Sequence, residues 1–386
     1  MNVDESLIQI RREIHSRPEL SGQEYETAAY IKKQLMATEP DEIIEEVGGC
    51  GLIAIYKGIK QDEGSSVMIR AELDGLPIKE QTGLSYQSEH AGKMHACGHD
   101  GHMAILLGVA KRLHQNRSDK GNVFLLFQPA EETGRGAEQM LGDQRFKKID
   151  ADRILALHNL PGYEENTIYI RSNTIACAST GYKIELTGKS SHAAYPEEGI
   201  NPAPELAAFV TAVHKLHEDY IYKDKITAAT VTYLKLGEEA FGISPGKGEG
   251  GVTIRAETDE LLSSMKQQLE DSLQKIESGF KGTMKVEEIE PFAAVVNDQF
   301  GVEQLKSALN KNEQFRIEEL TDPFPWSEDV GEFRKKSPIT FFGLGAGKSS
   351  CPLHSEKYDF NDQLLSTGKE AFWELIKHFT EIPADE

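Results

Sequence analysis

Along the chain, apolar residues follow two rhythms that alternate. Between residues 6 and 36 they recur at helical spacing, broken by the turn Arg17-Pro18-Glu19-Leu20-Ser21-Gly22. Short, nearly continuous apolar runs follow at 66–70, 122–127 and 153–157, with a helical stretch at 103–113 between the first two. Continuous runs with helical crossovers predict strands buried on both faces of a mostly parallel sheet. From about Ala178 the pattern changes. Residues 182–187 alternate as a strand, and 202–217 carry Leu206, Phe209, Val210, Val213 and His217 on one helical face. Strands are predicted at 227–236 and 251–257. A helix follows at 259–280, with Leu262, Met265, Leu269, Leu273 and Ile276 as its stripe, then a strand at 284–290. That order, β-α-β-β-α-β, is the split βαβ or ferredoxin-like unit. After about Pro291 the first rhythm returns: helix at 300–310, apolar strand at 338–342, long helix at 362–379. The expected fold is therefore an α/β domain, formed by 1–177 and 291–386, interrupted by an inserted ferredoxin-like α+β domain at 178–290.

Composition agrees with this and narrows the function classes. A chain of 386 residues exceeds one typical core, and 39% hydrophobic with 27% charged residues suits a globular protein. No run of about 18 apolar residues occurs, and Met1-Asn2-Val3-Asp4-Glu5 lacks the charged and apolar regions of a leader, so a soluble, cytoplasmic protein is expected. The formal charge of −21 argues against a nucleic-acid or anionic-membrane partner, whose surfaces select basic patches. Cys50, Cys97, Cys177 and Cys351 are too few for a disulfide framework, and no Cys-x-x-Cys is present.

Candidate chemistry falls at the strand ends. Met94-His95-Ala96-Cys97-Gly98-His99-Asp100-Gly101-His102 gathers thiol, imidazole and carboxylate groups, the preferred ligands of zinc and its neighbours. The strand at 66–70 leads to Glu72 and Asp74, that at 122–127 to Glu131 and Glu132, that at 153–157 ends at His158, and that at 338–342 leads through a Gly/Ser-rich loop to His354. In open parallel sheets ligands bind beyond the carboxyl ends of the strands, so these segments are expected to converge on one crevice. Taken singly, each has a plain structural reading: a satisfied His158, a solvated Glu131-Glu132 loop, a turn-forming Asp74, an inert buried Cys97. Their joint placement favours a metal ion with a general base beside it, the requirement of metal-assisted hydrolysis.

The same motifs carry a resemblance. His15-Ser16-Arg17-Pro18-Glu19-Leu20-Ser21, Arg70-Ala71-Glu72-Leu73-Asp74-Gly75-Leu76-Pro77, Met94 to His102, Gln128 to Glu132, Ala156-Leu157-His158, Gly188 to Pro196 and Ser327-Glu328-Asp329 run in the order of the M20 metallopeptidase/amidohydrolase family. The chain most resembles its branch of N-acyl-amino-acid amidohydrolases, with hippurate and indole-acetyl-amino-acid hydrolases as relatives. The resemblance implies two divalent ions (Zn, Mn, Co or Ni) in a catalytic domain interrupted by a lid. Cys97 would bridge the ions, Glu132 and His354 complete one, and His99 and His158 the other. Asp74 would orient a metal-bound histidine and Glu131 serve as general base. His192, in the lid, would stabilise the reacting carbonyl, and Arg255 bind a substrate carboxylate. A small N-acyl amino acid or dipeptide is the implied substrate, and a homodimer or higher homo-oligomer through the lid the implied assembly. A dipeptidase or carboxypeptidase, or a catalytically idle metal- or peptide-binding protein, is the alternative. The chain departs from the pattern at Glu72, where the branch has Asp. It departs again at Phe241-Gly242-Ile243-Ser244-Pro245, which lacks a substrate-contacting Asn, and at Val330, where Phe is usual.

Overall fold

The computed structural model describes residues 4–221, 225–312 and 314–381; Met1 to Val3, part of the start read above as leaderless, lie outside the described residues. The chain forms two compact units, one from residues 1–175, 295–322 and 329–386, the other from 176–294 and 323–328.

The first unit is built on an eight-stranded sheet in the order Glu42–Val47, Gly51–Lys57, Asn122–Gln128, Val67–Glu72, Arg153–Pro161, Ile339–Gly347, Thr167–Ile170, Arg316–Glu319. The four middle strands, from Asn122–Gln128 to Ile339–Gly347, run parallel. The flanks turn antiparallel, at Gly51–Lys57 on one side and Thr167–Ile170 on the other. The flanking strands are absent from the sequence reading: Glu42–Val47 and Arg316–Glu319 carry charged residues and Thr167–Ile170 is short, whereas Gly51–Lys57 is as long and apolar as the strands that were read and was missed.

Alternate strand residues explain the two buried faces. Leu52, Ala54, Val67, Ile69, Leu125, Phe127, Leu157 and Phe342 share one core with the helices Glu5–His15, Tyr25–Met36, His99–Gln115, Gln299–Leu309 and Leu364–Phe379. Their neighbours Ile53, Met68, Leu126, Ile154 and Phe341 are also fully buried, as are Met140, Phe146 and Phe333. Helix His99–Gln115 is buried on every side as far as Ala110, and beyond its polar first turn it is apolar all round from Met103 to Ala110 rather than amphipathic. At roughly 25 cal/mol per Å² of apolar surface, such a helix anchors the elements around it.

The second unit is a four-stranded antiparallel sheet in the order Thr227–Leu236, Lys247–Ala256, Ala178–Thr187, Thr283–Phe292. This is the ferredoxin-like arrangement. Helices Ala203–Tyr220 and Asp259–Gly279 bury Leu206, Phe209 and Val213, and Leu262, Met265 and Leu269. Thr258 caps the second of these helices, its hydroxyl accepting the Leu261 N–H at 3.3 Å. A Cβ at Gly250 would lie 2.9 Å from the Phe209 ring, so the glycine lets the helix lie close on the sheet. Among the described residues no helix is long and apolar enough to cross a membrane.

Candidate metal centre

Each candidate residue of the first unit is placed by a local device. Gly98 has φ +97°, and a Cβ there would lie 2.3 Å from Asn159 Oδ1, so only glycine allows the turn that carries Cys97 into helix His99–Gln115. The helix begins four residues earlier than the sequence pattern indicates, which puts His99 and His102 in its first turn. After strand Asn122–Gln128 the chain turns sharply at Ala130, a non-glycine residue at φ +54°, into a single 3-10 turn, Glu131–Thr133. Adjacent residues of a strand would point to opposite faces; here both acids approach one histidine, with Glu131 Oε2 and Glu132 Oε1 each 3.9 Å from His99 Nε2. His158 lies inside strand Arg153–Pro161 rather than at its end, because parallel pairing with Ile339–Gly347 continues past it, opposite Gly343. His354 is held at φ +62° while its N–H donates to the Ala96 carbonyl at 2.8 Å.

Together these side chains form two overlapping clusters. One ligand atom each from Cys97, His99 and His158 lie within 4.8 Å of one another, as do those of Cys97, Glu132 and His354. Cys97 belongs to both, with Sγ 3.4 Å from His158 Nε2. His354 Nε2 is 3.7 Å from Glu132 Oε2.

The donor set fits a divalent ion. His99 Nδ1 lies 2.8 Å from the Asp74 carbonyl oxygen and His158 Nδ1 2.8 Å from that of Asn159. A carbonyl only accepts, so both Nδ1 atoms carry hydrogen, and Nε2 is in each case the atom turned to the cluster. This is the orientation that holds a metal-ligating imidazole in one tautomer. His99 Nε2 is buried with no hydrogen-bond partner among the described residues, a costly arrangement unless a ligand completes it. Burial, with His102 nearby, holds His158 down at about 3, so it stays neutral. Burial also opposes protonation of His99, yet the carboxylates of Glu72, Asp74 and Glu132 outweigh it and push His99 up to about 10. The carboxylates around His99 therefore favour positive charge at that position. A thiol, imidazoles and a carboxylate suit zinc or a neighbouring transition metal.

Buried partners hold this cluster. Asp74 meets His99 Nδ1 through its backbone carbonyl at 2.8 Å and through its carboxylate at 3.4 Å, and the carboxylate also accepts from Ser21 Oγ at 2.7 Å and the Glu132 N–H at 3.0 Å. Glu131 Oε1 accepts the Asp329 N–H at 3.3 Å. Asp329 in turn takes Arg70 at 2.8 Å and the Ala137 N–H at 2.9 Å. Glu72 pairs with Arg70 and lies 2.8 Å from His102 Nδ1. Sequence reasoning left His102, Asn159 and Tyr358 without roles, although the first two adjoin named ligands; Tyr358, bonded to Asn159 Nδ2 at 2.7 Å, had no signal.

His192 and Arg255 belong to the second unit. His192 lies on the two-residue strand Ser191–His192, paired with Ile243–Ser244, and is exposed. Its Nδ1 accepts the Ala194 N–H at 3.0 Å, which leaves Nε2 as the outward atom. Arg255 donates to Ser327 Oγ at 3.0 Å within the same unit. Phe241, in the segment that lacks the family's Asn, is 95% exposed.

The model of peptidase family M20/M25/M40 matches residues 68–378. The chain belongs to this family. It is thus an M20 hydrolase, and its relatives share nearly its full length. It is 34% identical over 366 residues to the N-acetyldiaminopimelate deacetylase of Bacillus subtilis (strain 168), covering 94% of this chain and 96% of that one. It is 33% identical over 347 residues to the N-acetyl-L-cysteine deacetylase of the same organism, covering 89% and 81%. Among solved structures, a dinuclear metal-binding M20 peptidase from Bacillus subtilis superposes with a TM-score of 0.78 at 26% identity, over 98% of each chain.

Proposed function

We propose that this M20 chain hydrolyses the amide bond of N-acyl amino acids, releasing a carboxylic acid and a free amino acid. The observation that carries the reading is the Cys97 thiol shared between two ligand clusters, with the Glu131 carboxylate beside them. Cys97, Glu132 and His354 would hold one divalent ion, and Cys97, His99 and His158 the other. Bound there, such ions supply Lewis-acid charge that acidifies water and polarises a carbonyl. Glu131 takes the proton of the attacking water and passes it to the leaving amine. Its Oε1 is fixed by the Asp329 N–H and its Oε2 is turned toward His99, and it is spared the ligation that would make Glu132 a poor base. Asp74 keeps the His99 tautomer and the Glu132 turn in place.

In this reading residues 178–290 act as the lid. His192 contributes Nε2 to the developing oxyanion, an interaction typically worth roughly 3 kcal/mol. Arg255 takes the substrate carboxylate. The deacetylase relatives support a small acyl group. A cytoplasmic setting, which keeps Cys97 reduced, and self-association through the lid complete the proposal.

The test is Glu131→Gln assayed on N-acetyl and N-benzoyl amino acids and on dipeptides. Turnover should fall by at least a hundredfold while two equivalents of metal stay bound. Near-normal turnover would remove Glu131 as base, and a preference for dipeptides would replace the amidohydrolase with a dipeptidase.

A further inference from the structure

Glu24 is a fully buried carboxylate that the scheme above does not use. It precedes helix Tyr25–Met36, and its Oε1 accepts the N–H of Ala130 at 2.7 Å. Ala130 is the residue at φ +54° that turns the chain out of strand Asn122–Gln128, and it is itself buried. Its carbonyl is engaged on the other side, accepting from Gly136 N at 3.1 Å and Thr133 Oγ1 at 3.2 Å. Two residues later the Glu132 N–H is taken by Asp74 Oδ2 at 3.0 Å. Glu131 thus hangs between two backbone amides, each gripped by a buried acid from a different segment. A left-handed alanine is unfavourable and persists only where its surroundings impose it. An unsatisfied buried N–H at the same residue would add to that cost.

We propose that Glu24 is a positioning residue for the acid pair: by accepting the Ala130 N–H it holds the left-handed turn that brings Glu131 and Glu132 together on His99. The inference rests on the proposed roles of Glu131 as base and Glu132 as ligand. Burial, with Asp74 nearby, pushes Glu24 up to about 7, and the Cys50 thiol beside it is pushed up to about 11, so the surroundings favour an uncharged acceptor. The contact therefore needs an oxygen at the right reach more than it needs a charge.

Two variants separate reach from charge. Glu24→Gln keeps an acceptor oxygen at the same length, whereas Glu24→Asp keeps the acid and withdraws the oxygen by one methylene. Turnover of an N-acetyl amino acid and binding of Zn²⁺ alone, by competition with a chelator, are measured on both, beside Glu131→Gln. Glu24→Gln should stay within about threefold of wild type in kcat and in Zn²⁺ affinity. Glu24→Asp should lose ten- to a hundredfold in kcat with KM little changed, as a misplaced catalytic group does, and should bind one of two Zn²⁺ at least tenfold more weakly. An active Glu24→Asp, or a Glu24→Gln as impaired as Glu24→Asp, overturns the inference. The base assignment fails separately, through an active Glu131→Gln, and the Zn²⁺ affinities still judge the turn in that case. Should Glu24→Asp not fold, the Glu24→Gln result decides alone.

Discussion

His15 gives the pH prediction that the structure defines best. The residue is completely buried, with Nδ1 2.9 Å from Asp100 Oδ2 and Nε2 3.4 Å from Glu80 Oε1. Two carboxylates can be satisfied by one imidazole only when both ring nitrogens carry hydrogen. Burial pulls its pKa down, but the hydrogen bonds to Asp100 and Glu80 outweigh burial and push it up to about 9. The folded value lies above the unfolded value of about 6.5, so folding binds the proton more tightly. The stabilisation is complete below about pH 6.5 and is lost as pH rises through about 9. From 6.5 to about 9, at about 1.4 kcal/mol per pH unit, it amounts to about 3 kcal/mol. Urea unfolding in the presence of a chelator, followed by Trp373 fluorescence in a Trp326→Phe background, reports on the first unit. His15→Gln should destabilise that unit far more at pH 6 than at pH 9.5, the gap closing by about 3 kcal/mol. An equal gap at both pH values would refute the imidazolium assignment.

The other predictions concern the same unit. Cys97→Ala should lower bound metal below one equivalent per chain by elemental analysis, and mild peroxide should do the same to wild type, since an oxidised thiol is no longer a thiolate ligand. Gly101→Ala would place a Cβ 2.3 Å from the Phe360 ring and should cost about 1–3 kcal/mol in urea unfolding. Asp329→Ala strips Arg70 of a buried partner and the Ala137 N–H of its acceptor, and should destabilise by about 3–5 kcal/mol by the same measurement.

What was legible in the chain followed physical necessity. The four parallel middle strands announced themselves because a strand covered on both faces is largely apolar, although Gly51–Lys57, equally apolar, went unread. The strand Glu42–Val47 did not, because an edge strand keeps charged residues such as Glu42, Glu45 and Glu46. The stripes of the two helices of the second unit were plain, since each buries a single face. Residues 323–328 gave no sign of joining the second unit. They do so through backbone pairing, the Cys177 N–H donating to Phe324 and Trp326 carbonyls at 3.1 and 3.0 Å, and such pairing leaves no mark in side-chain pattern. In the candidate site the ligating residue types were visible because their chemistry is restricted. The residues that hold them were harder to see. Arg11 reaches Asp100 at 3.0 Å and Asp359 at 2.9 Å, yet it sits 89 and 348 positions away from them, on a helix that by itself looks ordinary. Ala130 was invisible, since nothing about an alanine announces a positive φ.

The interleaved path of the chain bears on its synthesis. Strand Ile339–Gly347 lies between Arg153–Pro161 and Thr167–Ile170, so the middle of the large sheet is filled by one of the last segments to be translated. A nascent polypeptide emerging from the ribosome can finish the inserted unit while the earlier strands still lack this neighbour. Those strands then expose unpaired apolar edges, the state in which growing chains aggregate or engage chaperones. Slowing translation between residues 176 and 338 should prolong that vulnerable interval, whereas His354, arriving later still, leaves the Cys97–Glu132–His354 cluster incomplete until the sheet has closed.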